Sequence, residues 1–214
     1  MITDDNKNFL LQYSPDHKIR HDMIDSGRLT YRQRAAISSS PFMNGELADR
    51  MFNSPAFQGD KFNLVKDHFD AMHSDTKDRI INSSYHQKAA FAGTSDHKII
   101  DHAISNTDNH YYLVQNSNLQ PHHINKILDH MTQNLGKYDP SDLYHSIRNL
   151  GINHELDDSQ YQKFKEIALT HPDRHDIVED MKHLKRKNIS RLADLESACN
   201  ARSNKKSILD IKKP

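Results

Sequence analysis

Sixteen histidines stand in the 214 residues, and two pairs of them have a spacing that could hold a metal ion. His17 and His21 are four apart, as are His171 and His175. On a helix that spacing puts both imidazoles on one face. A hydrolytic zinc helix also needs a glutamate directly after its first histidine, to serve as general base. Lys18 and Pro172 occupy those places, so the pairs read as cap and surface residues and no metal site is expected. Cys199 is the only cysteine. It excludes an intramolecular disulfide and a thiolate zinc site. It also falls on the apolar stripe of the last helix, where a thiol is ordinarily inert. There is no Gly-x-Ser-x-Gly, and six glycines build no phosphate-cradling loop. The expectation is a protein without catalytic residues and without a cofactor. An enzyme with a His-based metal site is the second alternative, recognisable by bound metal and a deep polar pocket.

Charge offers a sharper feature. Residues 182–214 hold ten Lys or Arg against three Asp or Glu, a net of +7; the rest of the chain holds 19 against 26, a net of −7. An acidic body therefore carries a basic C-terminal segment. Lys185, Arg186, Lys187, Arg191, Lys205 and Lys206 are the residues expected to contact nucleic acid or to serve assembly. Phosphate contacts of this kind would be steeply salt-dependent. The segment has no aromatic residue to stack on bases, which ranks nucleic-acid binding below docking on a protein.

The second surface feature is aromatic. Tyr111 and Tyr112 follow His110, and no helix can bury all of Tyr111, Tyr112, Leu113 and Val114 on one face. A half-exposed Tyr suits an interface anchor. Residues 52–60 form the widest irregular stretch, broken by Pro55 and Gly59. Phe57 within it joins Tyr111, Tyr112 and His110 as an expected protein-binding residue.

The elements that would position these side chains come from an internal repeat. Ala90-Phe91 falls on Leu113-Val114 at an offset of 23, and Ile100, Ala103 and Ile104 fall on Ile124, Ile127 and Leu128 at an offset of 24. Each copy is an apolar half-helix, a small polar break, then a helix with an i, i+3, i+4 stripe. Such a unit cannot bury its stripe alone, so units must stack. Caps punctuate the chain at Ser14-Pro15-Asp16, Thr30, Asn44, Asp60, Ser74-Asp75, Asp139-Pro140 and Asn188. Gly27, Gly136 and Gly151 are expected to close helices. Tyr31 is expected on the apolar stripe of its helix. From Ser203 onward the chain is expected to fray. No stretch alternates with period two. Apolar residues make up 35% and mean hydropathy is −0.88, which suits a thin stack of helices. The N-terminus lacks a secretory h-region, and no apolar run approaches the roughly 20 residues of a membrane span.

These units resemble a known group. Ser74-Asp75-Thr76-Lys77-Asp78-Arg79-Ile80-Ile81-Asn82-Ser83-Ser84 and His171-Pro172-Asp173-Arg174-His175-Asp176-Ile177-Val178 are similar to the two-helix repeats of the leucine-rich-repeat-variant and HEAT-like group, found in degenerate form in tailed-bacteriophage proteins. Asp75 with Arg79, and His171-Pro172, match that pattern. Asp108 has Tyr112 in place of the arginine and departs from it. The resemblance spans residues 16–181. It implies a curved α-solenoid used as a binding surface, with no catalytic residues. Together with the internal repeat, the expected fold is all-α: a right-handed α-solenoid of about four to six degenerate helix pairs, with no sheet. The resulting expectation is a repeat domain over 1–181, then a basic helix and tail over 182–214. Its function would be non-enzymatic: a protein-binding or structural protein, a phage virion component or a modulator of a host protein, in the cytoplasm or the virion. A protein partner is favoured, self-association is open, nucleic acid is the alternative, and no membrane is involved.

Overall fold

The computed structural model describes residues 3–106, 110–183 and 188–211, with side chains throughout except at 183 and 203–211. Among the described residues there are thirteen α-helices, five short 3₁₀ turns and no strand. None of these helices is long and apolar enough to cross a membrane. The chain divides into two units, Met1–Asp96 and His97–Pro214.

The first unit holds α1 (Asp4–Tyr13), α2 (His17–Asp25), α3 (Tyr31–Ser38), α4 (Gly45–Asn53), α5 (Lys61–His68), α6 (Ser74–Ile81) and α7 (His86–Gly93). The orphan amides of a first turn need acceptors, and short polar side chains supply them. Thr3 accepts from the Asn6 N–H, Asp16 from Lys18 and Asn44 from Leu47. Thr30 and Gln33 bond each other's backbone in a capping box. Gly27 ends the second turn region with φ of +65°, a left-handed conformation that costs a glycine little. Helix α1 packs on α3, α2 on α4, and α5 on both α4 and α7. The core between them is Ile37, Leu47, Met51, Phe57, Val65, Ile80, Ala89 and Ala90, each shielded from solvent.

Polar ties repeat along this unit at a nearly constant spacing. Arg50 reaches Asp25 at 2.6 Å, His73 reaches Asp49 at 2.7 Å, Arg79 reaches Asn53 at 3.1 Å, and Ser95 donates to Asp70 from backbone and side chain at 2.7 and 2.6 Å. They link residues 24 to 26 apart.

Asp70 is the most heavily bonded of these acceptors. Its other oxygen takes the Thr94 hydroxyl at 2.7 Å. Burial pushes this carboxyl up, but the bonds from Ser95 and Thr94 outweigh it, and the net shift is downward. A carboxylate held below its unfolded pKa stabilises the fold above that pKa and loses the contribution as pH falls through the folded value. The Asp70 side chain is partly solvated, so screening limits the effect to about 1 kcal/mol. Asp70→Asn is therefore expected to lower stability by that amount at pH 7. The difference from wild type should shrink as pH falls below the ordinary Asp range, as urea unfolding at a series of pH values would measure. A gap independent of pH would exclude the ionic role.

The stretch 52–60, read from the sequence as the widest irregular insertion, folds as a 3₁₀ helix over Pro55–Asp60. Ser54 caps it by accepting from Ala56, and Pro55 fits the first turn, where no N–H is needed. The turn rotates Phe57 inward until no part of it is exposed. Phe57 is a core residue, and the expectation of a protein contact there is corrected. Asp60 does not cap α5. Its carboxylate takes Arg34 at 2.5 Å instead.

The second unit holds α8 (His97–Asn106), α9 (Pro121–Gln133), α10 (Pro140–Asn153), α11 (Asp158–Thr170), α12 (Arg174–His183) and α13 (Leu192–Ile211). Asp139 caps α10, and Asp157 with Gln160 makes a capping box at α11. Helix α8 packs on α9, α9 on α11, α10 on both α11 and α12, and α11 and α12 each on α13. Ile100, Ile127, Leu128, Ile147, Leu150, Phe164, Ile167, Ile177 and Leu195 form the core.

Four sequence expectations fail here. The apolar half-helix foreseen at Tyr112, Leu113 and Val114, ahead of the polar break at Asn116-Ser117, is only a 3₁₀ turn, Leu113–Gln115, which nonetheless buries Leu113 and Val114. Gly151 does not end α10; it lies within the helix, where its bare backbone admits the ends of Phe164 and Met181. The C-terminal backbone is helical to Ile211 instead of fraying from Ser203. Asn188, expected as a helix cap, has φ of +71° and precedes a 3₁₀ turn. Its amide donates to the Gly151 and His154 carbonyls, both at 2.9 Å, and its oxygen accepts from the Leu156 N–H at 3.1 Å. These bonds reach across to the end of α10 and the residues after it, and hold Asn188 in the left-handed conformation that Asn adopts more readily than most residues.

Candidate functional site

The residues singled out in the sequence separate on folding. His110 is fully buried. Its Nε2 donates to the Ile104 carbonyl at 3.3 Å, which leaves Nδ1 to accept the Tyr138 hydroxyl at 2.7 Å. His110 thus belongs to the core, not to a binding surface. Tyr111 and Tyr112 are half-buried, with ring centroids 4.8 Å apart, and Tyr111 meets the exposed His145 at 5.7 Å. That pair keeps the exposure an interface anchor requires. Asp108 lies outside the described residues.

Of the basic residues, Arg191 is structural. Its guanidinium donates to the Leu156 and Asp157 carbonyls at 2.7 and 3.1 Å, pairs with Asp158 at 2.7 Å and lies over the Tyr161 ring. It ties residues 189–191 to the start of α11, and has little left for a phosphate. Lys182 is likewise engaged by Glu196 and Glu179. Lys185, Arg186 and Lys187 lie outside the described residues, as do the side chains of Lys205 and Lys206.

The two histidine pairs also part company. His17 and His21 do share a face of α2, with centroids 6.2 Å apart. His171 and His175 do not, because Pro172 ends α11 between them. His171 is buried, donating from Nε2 to the Pro140 carbonyl at 2.8 Å and accepting the Asp173 N–H at Nδ1. His175 instead places Nδ1 3.3 Å from the Cys199 sulfur. A Cys–His pair could serve nucleophilic catalysis. Here Cys199 is 1% exposed, and burial raises its pKa. The thiol is held protonated and shut away, as its place on the apolar stripe implied.

What the sequence did not reveal is an aromatic surface on the first unit. Phe9 and Tyr13 on α1 are 62% and 50% exposed, and Tyr31 on α3 is 72% exposed. Phe9 and Tyr13 meet at 5.0 Å, and Tyr31 lies against the Arg34 guanidinium. Tyr31 looked like a stripe residue, yet it opens α3 on the outside, and Gln33, Ala36 and Ile37 take the inward positions of that helix. Beside Tyr31, α3 and α5 enclose a groove of 360 Å³ whose polar lining includes Arg34, Asp60, Asp67 and His68. Burial lowers the His68 pKa, so the ring is neutral at neutral pH. Tyr31, Phe9 and Tyr13 could have been suspected from a count of apolar positions. Each of their helices offers more apolar residues than one narrow face can hold.

The second unit holds a different feature, a group of histidines at the first turns of α8 and α9. His123 is buried and acts as the third residue of a capping box, its Nδ1 accepting the Gln120 N–H at 3.1 Å. The proton of the neutral ring is then on Nε2, which has no hydrogen-bond partner and stands 3.8 Å from Asp101 Oδ1. A buried donor left in that state costs about 1–3 kcal/mol. Burial first, and His122 second, hold the His123 ring below its ordinary pKa. Lys126, bonded to Asp101 at 2.7 Å, holds that carboxyl down. No protein-family model, curated protein or solved structure matches this chain.

Proposed function

We propose that this chain is a non-enzymatic, helical-repeat binding protein whose partner is another protein, docked on the α1–α3 face of the first unit. The observation that carries this reading is that α1 and α3 pack together while both present aromatic side chains, Phe9, Tyr13 and Tyr31, to solvent. Tyr31 lines the groove between α3 and α5, and an exposed Tyr beside a groove is the kind of anchor from which protein interfaces draw much of their energy. The pairing of α1 with α3, α2 with α4, α9 with α11 and α10 with α12 supports the α-solenoid form of the proposal. In such an array each helix stacks on its counterpart in the next repeat. Arg34, Asp60 and Asp67 in the groove would select a partner segment that has both polar and apolar side chains.

Capture of partners by the full chain, with and without nuclease, tests the reading. A protein that is captured after nuclease treatment and lost on Phe9→Ala with Tyr31→Ala is the expected result. Circular dichroism of that variant should be unchanged. A partner indifferent to those substitutions but lost with residues 182–214 or with nuclease would move the function to the basic segment and to nucleic acid.

A further inference from the structure

His97 opens α8 and Asp101 follows one turn later on the same face. His122 and His123 lie in the first turn of α9, directly after Pro121. The packing of α8 on α9 brings these four residues together. The ring centroids of His122 and His123 are 3.8 Å apart, and His97 is 5.1 Å from His123 and 6.1 Å from His122. One ligand atom each from Asp101, His122 and His123 falls within a sphere of mutual separations no greater than 4.8 Å. Donors around a tetrahedral zinc stand about 3.3 Å apart, given bonds of about 2 Å. His122 is exposed and Asp101 half-exposed, so side-chain rotation can close that gap.

The decisive atom is Nε2 of His123. The buried His110, His154 and His171 all spend that nitrogen on a backbone carbonyl. His123 spends it on nothing, although the residue is wholly enclosed and the atom faces Asp101. We propose that Asp101, His122 and His123 bind a divalent transition metal of the zinc class, with His97 placed to supply a fourth ligand. Two imidazoles and one carboxylate favour zinc, cobalt or nickel over magnesium or calcium, which want oxygen throughout. Coordination takes the Nε2 lone pair. The proton on Nε2 passes through solvent to Nδ1, and the bond to the Gln120 N–H is given up in exchange. Lys126 is the resident competitor for Asp101, 2.7 Å from its Oδ1, and a metal must displace it or take the other oxygen.

Titration of the full chain with zinc, read by competition with a chromophoric chelator, tests the proposal; titration with cobalt is read by its visible absorption. One equivalent is expected to bind at least tenfold more tightly than the background of remaining histidines. His122→Ala and Asp101→Asn should each weaken that step tenfold or more. His123→Gln should do the same with unchanged metal-free circular dichroism, because Gln at this position preserves the capping box. Lys126→Ala should strengthen it. His73→Ala, which removes another histidine–carboxylate pair, should leave it unaltered. A titration with no tight step, or a tight step that survives both His122→Ala and Asp101→Asn, overturns the proposal.

Discussion

Gly93→Ala is expected to destabilise the first unit by about 3 kcal/mol or more, among the largest effects of a single methyl group anywhere in the chain. A Cβ at this position would stand 1.7 Å from the carbonyl oxygen of Lys66, 2.7 Å from its carbon and 3.0 Å from its Cα. Every one of those atoms is backbone of α5, so no side-chain rotation relieves the clash. Either α5 and α7 separate, which opens the core around Val65, Ala89 and Ala90, or the end of α7 unwinds. Overpacking in a tight interior ordinarily costs about 1–3 kcal/mol, and more when the obstacle is rigid. Gly151→Ala is the internal control. Its added Cβ would meet only the tip of Phe164 at 2.9 Å and of Met181 at 3.0 Å. Those side-chain ends can move, and alanine gains about 1 kcal/mol of helix propensity over glycine. Urea unfolding of both variants separates the cases. Similar midpoints for the two would mean that the α5–α7 approach is looser than the distances state.

Phe57→Ala is expected to cost about 3–5 kcal/mol, the usual range for deleting a fully buried aromatic ring. The ring is enclosed on all sides although it belongs to a short 3₁₀ helix. Its loss leaves a void that Pro55, fixed in φ, resists collapsing. Tyr31→Ala removes an aromatic of similar size and should change stability by no more than about 0.5 kcal/mol, because its ring is mostly in water. The two variants thus reverse the roles that residue type alone suggests. The first should lower the melting temperature, and the second should leave it intact while weakening partner capture. A Phe57→Ala protein with wild-type stability would return that residue to the surface.

The helices were largely legible in the sequence, because caps and apolar spacing are local properties. Thr30, Asn44 and Asp139 cap the helices they were expected to cap. The failures came where a neighbour in space decides the outcome. Gly151 reads as a stop signal, yet a helix passes through it because Phe164 and Met181 occupy the room a side chain would take. Phe57 reads as a loop residue, yet one 3₁₀ turn rotates it inward. The histidine spacing His171 to His175 assumed a continuous helix that Pro172 interrupts. Asp101 with His122 and His123 went unnoticed for the opposite reason. Its members lie on two helices, and only their packing sets them side by side.

The ties of the first unit have a consequence for how quickly it assembles. Each spans 24 to 26 residues of chain, from Asp25 to Arg50, Asp49 to His73, Asn53 to Arg79 and Asp70 to Ser95. Loop-closure entropy rises only with the logarithm of loop length, so every tie closes at nearly the same modest cost. Helical proteins dominated by such near-neighbour contacts fold in microseconds to milliseconds. The search for the native arrangement is thereby divided into a series of short closures. Each can form as soon as the two helices it joins exist, without waiting for a distant part of the unit.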